Sequence, residues 1–151
     1  MEDDSEPALG ATLDFMRMLW ALAHGMQSRS KRMESDLGVT GPQRLVLRIV
    51  GRSQKVTAGA LAKAMCVHPS TLTGVLRRLE ERGLVDRKRD KADARRSLLL
   101  LTPAGKKLDA LQGGSVEAAV RRTMSRLDQV EVDTARKVIG MLTEELARTD
   151  R

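Results

Sequence analysis

Apolar residues recur three and four positions apart through most of this 151-residue chain, which is the spacing of one face of an α-helix. At residues 84–102 this pattern is replaced by two short runs that flank a polar tip at residues 91–95. The leucine run 98–101 has no period that separates strand from helix, but its short length and Pro103 behind it favour a strand. The sequence therefore predicts a mainly helical α+β fold that contains one β-hairpin.

Capping signals locate the helices in front of the hairpin. Thr40 and Gln43 have the spacing of a capping box, which predicts a helix that begins directly after Thr40. Proline suits the first position of a helix, so Pro69 predicts another helix with His68 as its N-cap, and Gly83 supplies its stop. With a short helix between them, these elements and the hairpin have the order of a winged helix-turn-helix.

The segments on either side of this domain carry extended apolar faces. In the first helix the face consists of Leu13, Met16, Leu19, Trp20, Ala23 and Met26. Helical periodicity resumes after Pro103, and Gly113 and Gly114 should weaken or bend the helix by about 1 kcal/mol each relative to alanine. Because a small three-helix domain cannot cover these faces, their exposure would leave large hydrophobic patches, and dimerisation would remove them.

Charge is divided unevenly along the chain. The sequence has 27 Lys+Arg and 20 Asp+Glu, a formal net charge of +7, but residues 1–16 hold five acidic and no basic residues. The remainder therefore carries +12, and residues 1–8 are expected to form an acidic flexible tail. A basic body indicates a polyanionic partner, nucleic acid before anionic membrane, although a basic protein without such a partner is an equal alternative on charge alone.

Composition excludes several classes of protein. The single cysteine cannot form an intramolecular disulfide, which excludes a secreted disulfide scaffold and favours the cytoplasm. The longest apolar run, residues 18–23, is too short to span a bilayer, and the acidic N-terminus does not have the pattern of a signal peptide. Aromatic residues make up 1% of the chain, which disfavours recognition of single strands by base stacking. Since no catalytic constellation or phosphate loop stands out, neither an enzyme nor a bound cofactor is expected.

Cys66 and His68 lie within the predicted winged helix and have side chains that could bind a metal ion or titrate. They could supply two metal ligands, but a closed zinc site would need carboxylates or a second protomer, so no metal site is expected. Cys66 lies in an apolar stretch without a resolving cysteine, which favours a buried structural thiol over a reactive one. A protonated His68 beside DNA would make binding sensitive to pH, but an ordinary solvent-facing cap is favoured.

The helix that follows Pro69 has the two faces of a DNA recognition helix. An apolar stripe consists of Leu72, Val75, Leu76 and Leu79. Opposite this stripe lie Ser70, Thr73, Gly74 and Arg77, flanked by Thr71 and Arg78. Small side chains let a helix approach base edges closely, and arginines bind guanine edges or phosphates. We expect this polar face to enter the major groove.

The hairpin forms the second part of the predicted DNA-binding surface. Between Arg77 and Arg96 there are nine basic and five acidic residues. A basic tip can lie in the minor groove, where the negative potential is concentrated. The expected contacts come from Arg89, Lys91, Arg95 and Arg96, with Asp93 holding Arg95 in position. The alternative is that these charges only solvate an exposed turn.

Six segments of the chain resemble one family when their order and spacing are taken together. They are TGPQRLVL at 40–47, LAK at 61–63, HPSTLT at 68–73, LEERGLVDR at 79–87, DKADARR at 90–96 and LTPAG at 101–105. This pattern is similar to that of the MarR family of bacterial transcriptional regulators, over about residues 9–148. The Asp-x-Arg of the hairpin, which follows Leu-Glu-x-x-Gly-Leu, is its most specific part. The sequence departs from the family pattern at Gly74, where arginine is frequent, and at His68, where serine is usual.

The resemblance implies a winged helix-turn-helix at residues 37–103 and a dimerisation region formed by long helices at 9–36 and 104–151. It implies a homodimer that binds a pseudo-palindromic double-stranded DNA operator, with half-sites about 10 bp apart. It also implies a response to a small aromatic or phenolic effector, in a crevice to which Trp20, His24 and Arg44 could contribute. A simple core position is the favoured alternative for Trp20.

The function expected from these features is a cytoplasmic, sequence-specific and ligand-responsive transcriptional repressor. Two alternatives stay open at this stage. A non-specific architectural protein would share the charge and bind any duplex equally, and a protein-interaction module would use the winged helix without binding DNA. If the partner is double-stranded DNA, the affinity of the protein for it should fall steeply between low and physiological salt.

Overall fold

The computed structural model describes residues 9–53 and 55–149 of the chain, and the predicted acidic tail 1–8 lies outside them. Seven helices and three strands follow one another within the described residues. They are α1 Ala11–Leu37, α2 Gly41–Arg52, β1 Val56–Thr57, α3 Ala58–Ala64, α4 Pro69–Glu81, β2 Val85–Arg89, β3 Ser97–Leu101, α5 Pro103–Ala110, α6 Val116–Met124 and α7 Gln129–Thr149. The predicted mainly helical fold with one hairpin is therefore confirmed.

The predicted caps of the central helices are present. The Gln43 N–H donates to Thr40 Oγ1 at 3.4 Å, and the Thr40 N–H donates to Gln43 Oε1 at 3.0 Å, so both halves of the capping box form in front of α2. In front of α4, the Ser70 N–H donates to Nδ1 of the His68 imidazole at 3.2 Å. Gly83 ends α4 with φ of +63°, a conformation that glycine adopts without steric cost.

The sheet has three antiparallel strands in the order β1-β3-β2. In the hairpin, Val85 pairs with Leu101 and Arg89 pairs with Ser97. β1 pairs with the other side of β3, opposite Leu98 and Leu99. The sequence does not predict β1, because two residues are too few to show a strand period.

One hydrophobic core holds α2, α3, α4 and the sheet together. The fully buried side chains of this core include Val46, Leu47, Leu61, Leu72, Leu76, Leu79 and Leu99. Leu99 lies on the middle strand, so it joins the hairpin to the helices. The wing is therefore part of the same packed unit as α4.

Two sequence expectations need correction. Instead of one weakened helix across Gly113 and Gly114, the chain ends α5 at Ala110, because Leu111 already has an extended backbone conformation, and α6 begins at Val116, after Gly114 with its left-handed φ of +70°. The expected buried thiol of Cys66 is exposed.

The exposure of Cys66 follows from its place at the end of α3. Its N–H donates to the Lys63 carbonyl and the Val67 N–H donates to the Ala62 carbonyl, both at 3.1 Å, which is the Schellman pattern of a helix end. Cys66 occupies the left-handed position of that motif, with φ of +53°, where glycine is usual. Met65 and Val67 on either side pack against the core, while the thiol side chain is exposed.

The chain divides into two compact units, with the boundary between Ser115 and Val116. The first unit contains α1 to α5 and the sheet, and the second contains α6 and α7. In the second unit, α7 begins with reciprocal hydrogen bonds between Asp128 and Glu131, at 2.8 and 2.9 Å. The domain boundaries expected from the sequence stay predictions.

Gly105 tests how tightly α5 packs on the start of the wing. A Cβ at this position would overlap the backbone carbonyl oxygen of Leu84, which no side-chain rotation can relieve. We expect Gly105→Ala to lower the free energy of unfolding by about 3 kcal/mol, the upper part of the range for overpacking. Gly59→Ala is the control, because its Cβ would meet nothing within 4 Å. Chemical denaturation that gives equal stabilities for both variants would contradict this packing.

Candidate nucleic-acid interface

The outer face of α4 is fully available to a partner. Leu72, Leu76 and Leu79 point into the core with at most 2% of their surface exposed. The six polar or small residues predicted to bind DNA are exposed: Ser70, Thr71, Thr73, Gly74, Arg77 and Arg78. The predicted division of α4 into two faces is confirmed, whereas the contacts of these residues with DNA stay a prediction.

The N-terminal half of this face consists of small groups with local hydrogen bonds. Ser70 Oγ lies 2.7 Å from Nδ1 of the His68 imidazole, and the Thr73 hydroxyl donates to the Pro69 carbonyl at 2.9 Å. A Cβ on Gly74 would meet nothing within 4 Å, so open space lies in front of the middle of the helix. The face is thus shallow enough for the backbone of a duplex to come close.

The arginines of α4 differ in their partners. Arg77 Nε donates to Glu81 Oε1 at 2.8 Å, in a pair whose side chains are 78% and 58% exposed. An ion pair this exposed contributes little to stability, so the arginine can exchange it for a phosphate or a base. Arg78 makes no ion pair with any residue in the described parts of the chain.

The tip of the hairpin is held by its own aspartates. Asp93 Oδ1 accepts from the Arg95 N–H at 3.0 Å, and the Asp93 carbonyl accepts from the Arg96 N–H at 2.9 Å. Asp93 therefore positions Arg95 through its backbone rather than through the expected contact with its side chain. The carboxylate thus stabilises the backbone of the turn that carries the exposed Arg95. The four basic residues predicted for the wing are all exposed: Arg89, Lys91, Arg95 and Arg96.

The three residues suggested for an effector crevice do not share one surface. Trp20 is 67% exposed and His24 is also exposed, both on α1. The expectation that Trp20 is a core residue is therefore wrong for the single chain. Arg44 is only 2% exposed.

The buried side chain of Arg44 binds the C-terminal end of α5. Its guanidinium donates to the backbone carbonyls of Leu108, Asp109 and Leu111, with the Asp109 contact at 3.1 Å. These carbonyls belong to the last turn of α5 and the residue after it, where the helix has no partners of its own and the negative end of its dipole lies. Arg48 adds an ion pair to the Asp109 carboxylate at 2.9 Å. The sequence gives no signal for this anchor, because Arg44 and Arg48 lie more than 60 residues from the groups that they bind.

A notch lies beside the recognition face. It has a volume of about 320 Å³ and is lined by Thr40, Pro42, Gln43, Thr71, Gly74, Val75 and Arg78. The N-terminus of α2 forms one wall, and α4 forms the other. From the sequence, Thr40 and Gln43 are predicted only as capping residues, since nothing in the sequence shows that they lie near α4.

Two other kinds of feature are absent from residues 9–53 and 55–149. Those residues contain no group of three or more His, Cys, Asp or Glu side chains arranged to hold a metal ion. Within the same residues, no helix has the length and hydropathy needed to cross a bilayer.

Comparison with known proteins gives consistent matches. The model of the MarR family matches residues 39–97. The transcriptional regulator HosA of Escherichia coli O157:H7 is 33% identical over 119 residues, which is 76% of this chain and 88% of HosA. The organic hydroperoxide resistance transcriptional regulator of Bacillus subtilis is 32% identical over 88 residues, 58% of this chain and 60% of that regulator. The match thus spans less than two thirds of the Bacillus protein.

A solved structure is similar over most of the chain. The Staphylococcus aureus MepR–DNA complex superposes with a TM-score of 0.70 at 22% sequence identity, and the match covers 87% of this chain and 97% of MepR. At this identity the likeness establishes the fold.

The anchor formed by Arg44 can be tested by its effect on stability. We expect Arg44→Ala to lower the free energy of unfolding by about 3 kcal/mol, because it removes several hydrogen bonds from a charged group that is itself buried and leaves partly buried carbonyls without these donors. Arg77→Ala should cost less than about 1 kcal/mol, since its ion pair is exposed. Urea denaturation of the two variants measures the difference. Equal losses would show that the α2–α5 anchor contributes no more than a surface pair.

Proposed function

Because this chain belongs to the MarR family of transcriptional regulators, we propose that it is a homodimeric, ligand-responsive repressor that binds a double-stranded DNA operator. The observation that carries the proposal is the exposed face of α4. Its side chains are small and hydroxylic toward the N-terminus of the helix and cationic toward the C-terminus, and the basic hairpin packs on the same core as α4. HosA and the Bacillus relative are transcriptional regulators, and we propose no catalytic activity for this protein. We further propose that it acts in the cytoplasm.

In this proposal α4 enters the major groove and the wing enters the adjacent minor groove. Major-groove contacts would come from Ser70, Thr71, Thr73, Gly74, Arg77 and Arg78. The wing would contribute Arg89, Lys91, Arg95 and Arg96, with Asp93 as the positioning residue. The packing of the hairpin against α4 through one core supports simultaneous contacts, because the two parts of the surface then move as one body. The MepR complex supplies a relative of the same fold that binds DNA.

A homodimer is supported by the apolar side chains that a single chain leaves exposed. On α1 these include Leu13, Phe15, Met16, Met18, Trp20 and Leu22, and on α7 they include Val138, Ile139, Met141 and Leu146. Patches of this kind are rare on monomeric proteins and mark interaction surfaces. We propose that the segments 9–36 and 104–151 dimerise and that 37–103 binds DNA. Two-fold symmetry then implies a pseudo-palindromic operator with half-sites about 10 bp apart.

An effector would act by changing the population of dimers whose two α4 helices fit successive major grooves. Trp20 and His24 are exposed on α1 and stay the proposed contacts for a small aromatic or phenolic molecule. Arg44 was suggested with them, but its guanidinium is occupied by the carbonyls of Leu108, Asp109 and Leu111.

Sequence-specific binding is tested by competition. We expect the DNA that flanks the protein's own gene to contain an operator, and random duplex of equal length to compete at least about 10³-fold less well, as for other specific DNA-binding proteins. Fluorescence anisotropy at physiological salt measures both affinities. Equal competition would identify a non-specific architectural protein, and the absence of binding to any duplex would identify a protein-interaction module.

The wing is tested by Arg95→Ala. We expect this change to weaken operator binding by about 1–3 kcal/mol, because it removes one groove contact from a turn that Asp93 keeps intact. Lys106→Ala removes the same charge from the exposed surface of α5 and serves as the control. An Arg95→Ala variant that binds as tightly as the Lys106→Ala variant would remove the wing from the mechanism.

A further inference from the structure

The outward face of α4 has a gap in its middle, at Gly74. This glycine is exposed and lies inside the helix Pro69–Glu81. A Cβ at this position would meet nothing within 4 Å. Its φ is not in the left-handed region, where Gly38, Gly83 and Gly114 lie. Neither crowding nor backbone conformation therefore requires a glycine at position 74.

A glycine inside a helix lowers the stability of the fold. It loses more conformational freedom on folding than alanine does, and it contributes no side chain to packing. Because a Cβ has room at position 74, an alanine there is expected to stabilise α4. Gly25, Gly59 and Gly140 also have open space in front of them, but they lie on α1, α3 and α7. Gly74 differs from them in its place on the face that we propose to enter the major groove.

The neighbours of Gly74 leave its Cα uncovered. On a helix, the side chains that can cover a position come from three and four residues away, which here are Ser70, Thr71, Arg77 and Arg78. Arg77 Nε donates to Glu81 Oε1 at 2.8 Å, so its guanidinium is directed toward the end of the helix. The Ser70 hydroxyl lies 2.7 Å from Nδ1 of His68, toward the start of the helix. The gap therefore has hydroxyls on one side and guanidinium groups on the other.

The surface at the bottom of this gap is apolar. Inside an α-helix, the N–H and the carbonyl of each residue bond to residues four positions away, so Gly74 offers a partner only its Cα. A phosphate or another anion finds no donor on the Gly74 backbone. In the major groove, each base edge presents hydrogen-bonding groups, and thymine adds the C5-methyl group, which is apolar. The group that complements the gap is therefore a thymine methyl.

We propose that Gly74 is a specificity-determining residue, against whose Cα the C5-methyl group of a thymine packs in each half-site of the operator. The inference rests on the proposed DNA-binding function and adds to it an A·T pair at one position of each half-site. The missing side chain lets the backbone of α4 approach this base edge closely. Ser70 and Arg77, on either side of the gap, carry donors for the neighbouring polar edges.

Gly74→Ala adds one methyl group to the gap and keeps the charge of α4. Because the Cβ has room and alanine favours a helix, the variant is expected to unfold at a higher urea concentration than the parent. Gly59→Ala is the matched control, since it makes the same change in α3, also with open space in front of it. A Gly74→Ala variant that unfolds at a lower urea concentration than the parent would show that the fold itself requires this glycine, which contradicts the proposal.

The contact is measured with duplexes in which deoxyuridine replaces thymidine, because this replacement removes only the C5-methyl group. The operator is first selected from random duplexes with the parent protein, and each thymine of a half-site is then replaced in turn. At the thymine that faces Gly74, we expect the parent to bind about 4-fold more weakly after the replacement, which is the loss for one buried methyl group. Fluorescence anisotropy at constant salt concentration measures each affinity.

Gly74→Ala should reverse this preference at the same position. On the thymine operator, its Cβ and the C5-methyl group compete for one space, so binding should weaken by about 10-fold or more. On the duplex with deoxyuridine at that position, the Cβ occupies the place of the lost methyl group. The variant should therefore bind this duplex more tightly than it binds the thymine operator. Gly59→Ala should keep the preference of the parent at every position.

The outcomes separate this inference from the proposed function. A reversal of the preference at one thymine of each half-site, found with Gly74→Ala and not with Gly59→Ala, identifies the base that Gly74 reads. If the parent binds its operator specifically and Gly74→Ala has the same preference as the parent at every thymine, the thymine contact is wrong while the proposed function stands. If the parent binds no duplex, or binds all duplexes equally, the proposed function fails and this inference fails with it.

Discussion

The burial of one face of α4 is the constraint on which the rest of the surface depends. Leu72, Leu76 and Leu79 pack into a core shared with α2, α3 and β2, which sets the rotation of the helix about its axis. A helix of 3.6 residues per turn then presents the intervening positions outward. Each buried leucine contributes roughly 1.5–3 kcal/mol, so a rotation that turned the arginines inward would lose several such contributions and bury charge without a partner.

The same core determines where the neighbouring parts of the surface lie. Leu99 is the buried residue of the middle strand, so the wing cannot move independently of α4 without opening the core. The N-terminus of α2 is held against α1 by the bond from Gly41 to Ser30, and its capping box directs the Gln43 amide toward the notch. On the other side of α2, Arg44 binds the carbonyls at the end of α5. α2 thus links the proposed DNA-binding surface to the chain segment that leads to the last two helices.

Much of this fold is predictable from the sequence because helix caps and apolar periodicity depend on residues that are close together in the chain. A cap is completed within three residues, and so the box at Thr40 and the imidazole cap at His68 were both predicted correctly. The two faces of α4 follow from its periodicity alone. The errors concern residues whose environment comes from elsewhere or from an unusual backbone: the thiol of Cys66 is exposed at a left-handed helix end, and the helix that periodicity would continue across Gly113 and Gly114 already ends at Ala110.

For the candidate site, the sequence by itself determined the kinds of groups that a partner could meet: hydroxyls and arginines on α4, and a basic, aspartate-braced turn between two strands. Helical and strand periods assign these groups to the outside without any knowledge of what lies across from them. Only the tertiary structure decided that the Arg44 guanidinium binds the end of α5 and that Gln43 and Arg78 line the same notch. These are contacts between positions whose separation or geometry no period encodes, because they arise when the core brings distant segments together and each buried polar group must find a partner.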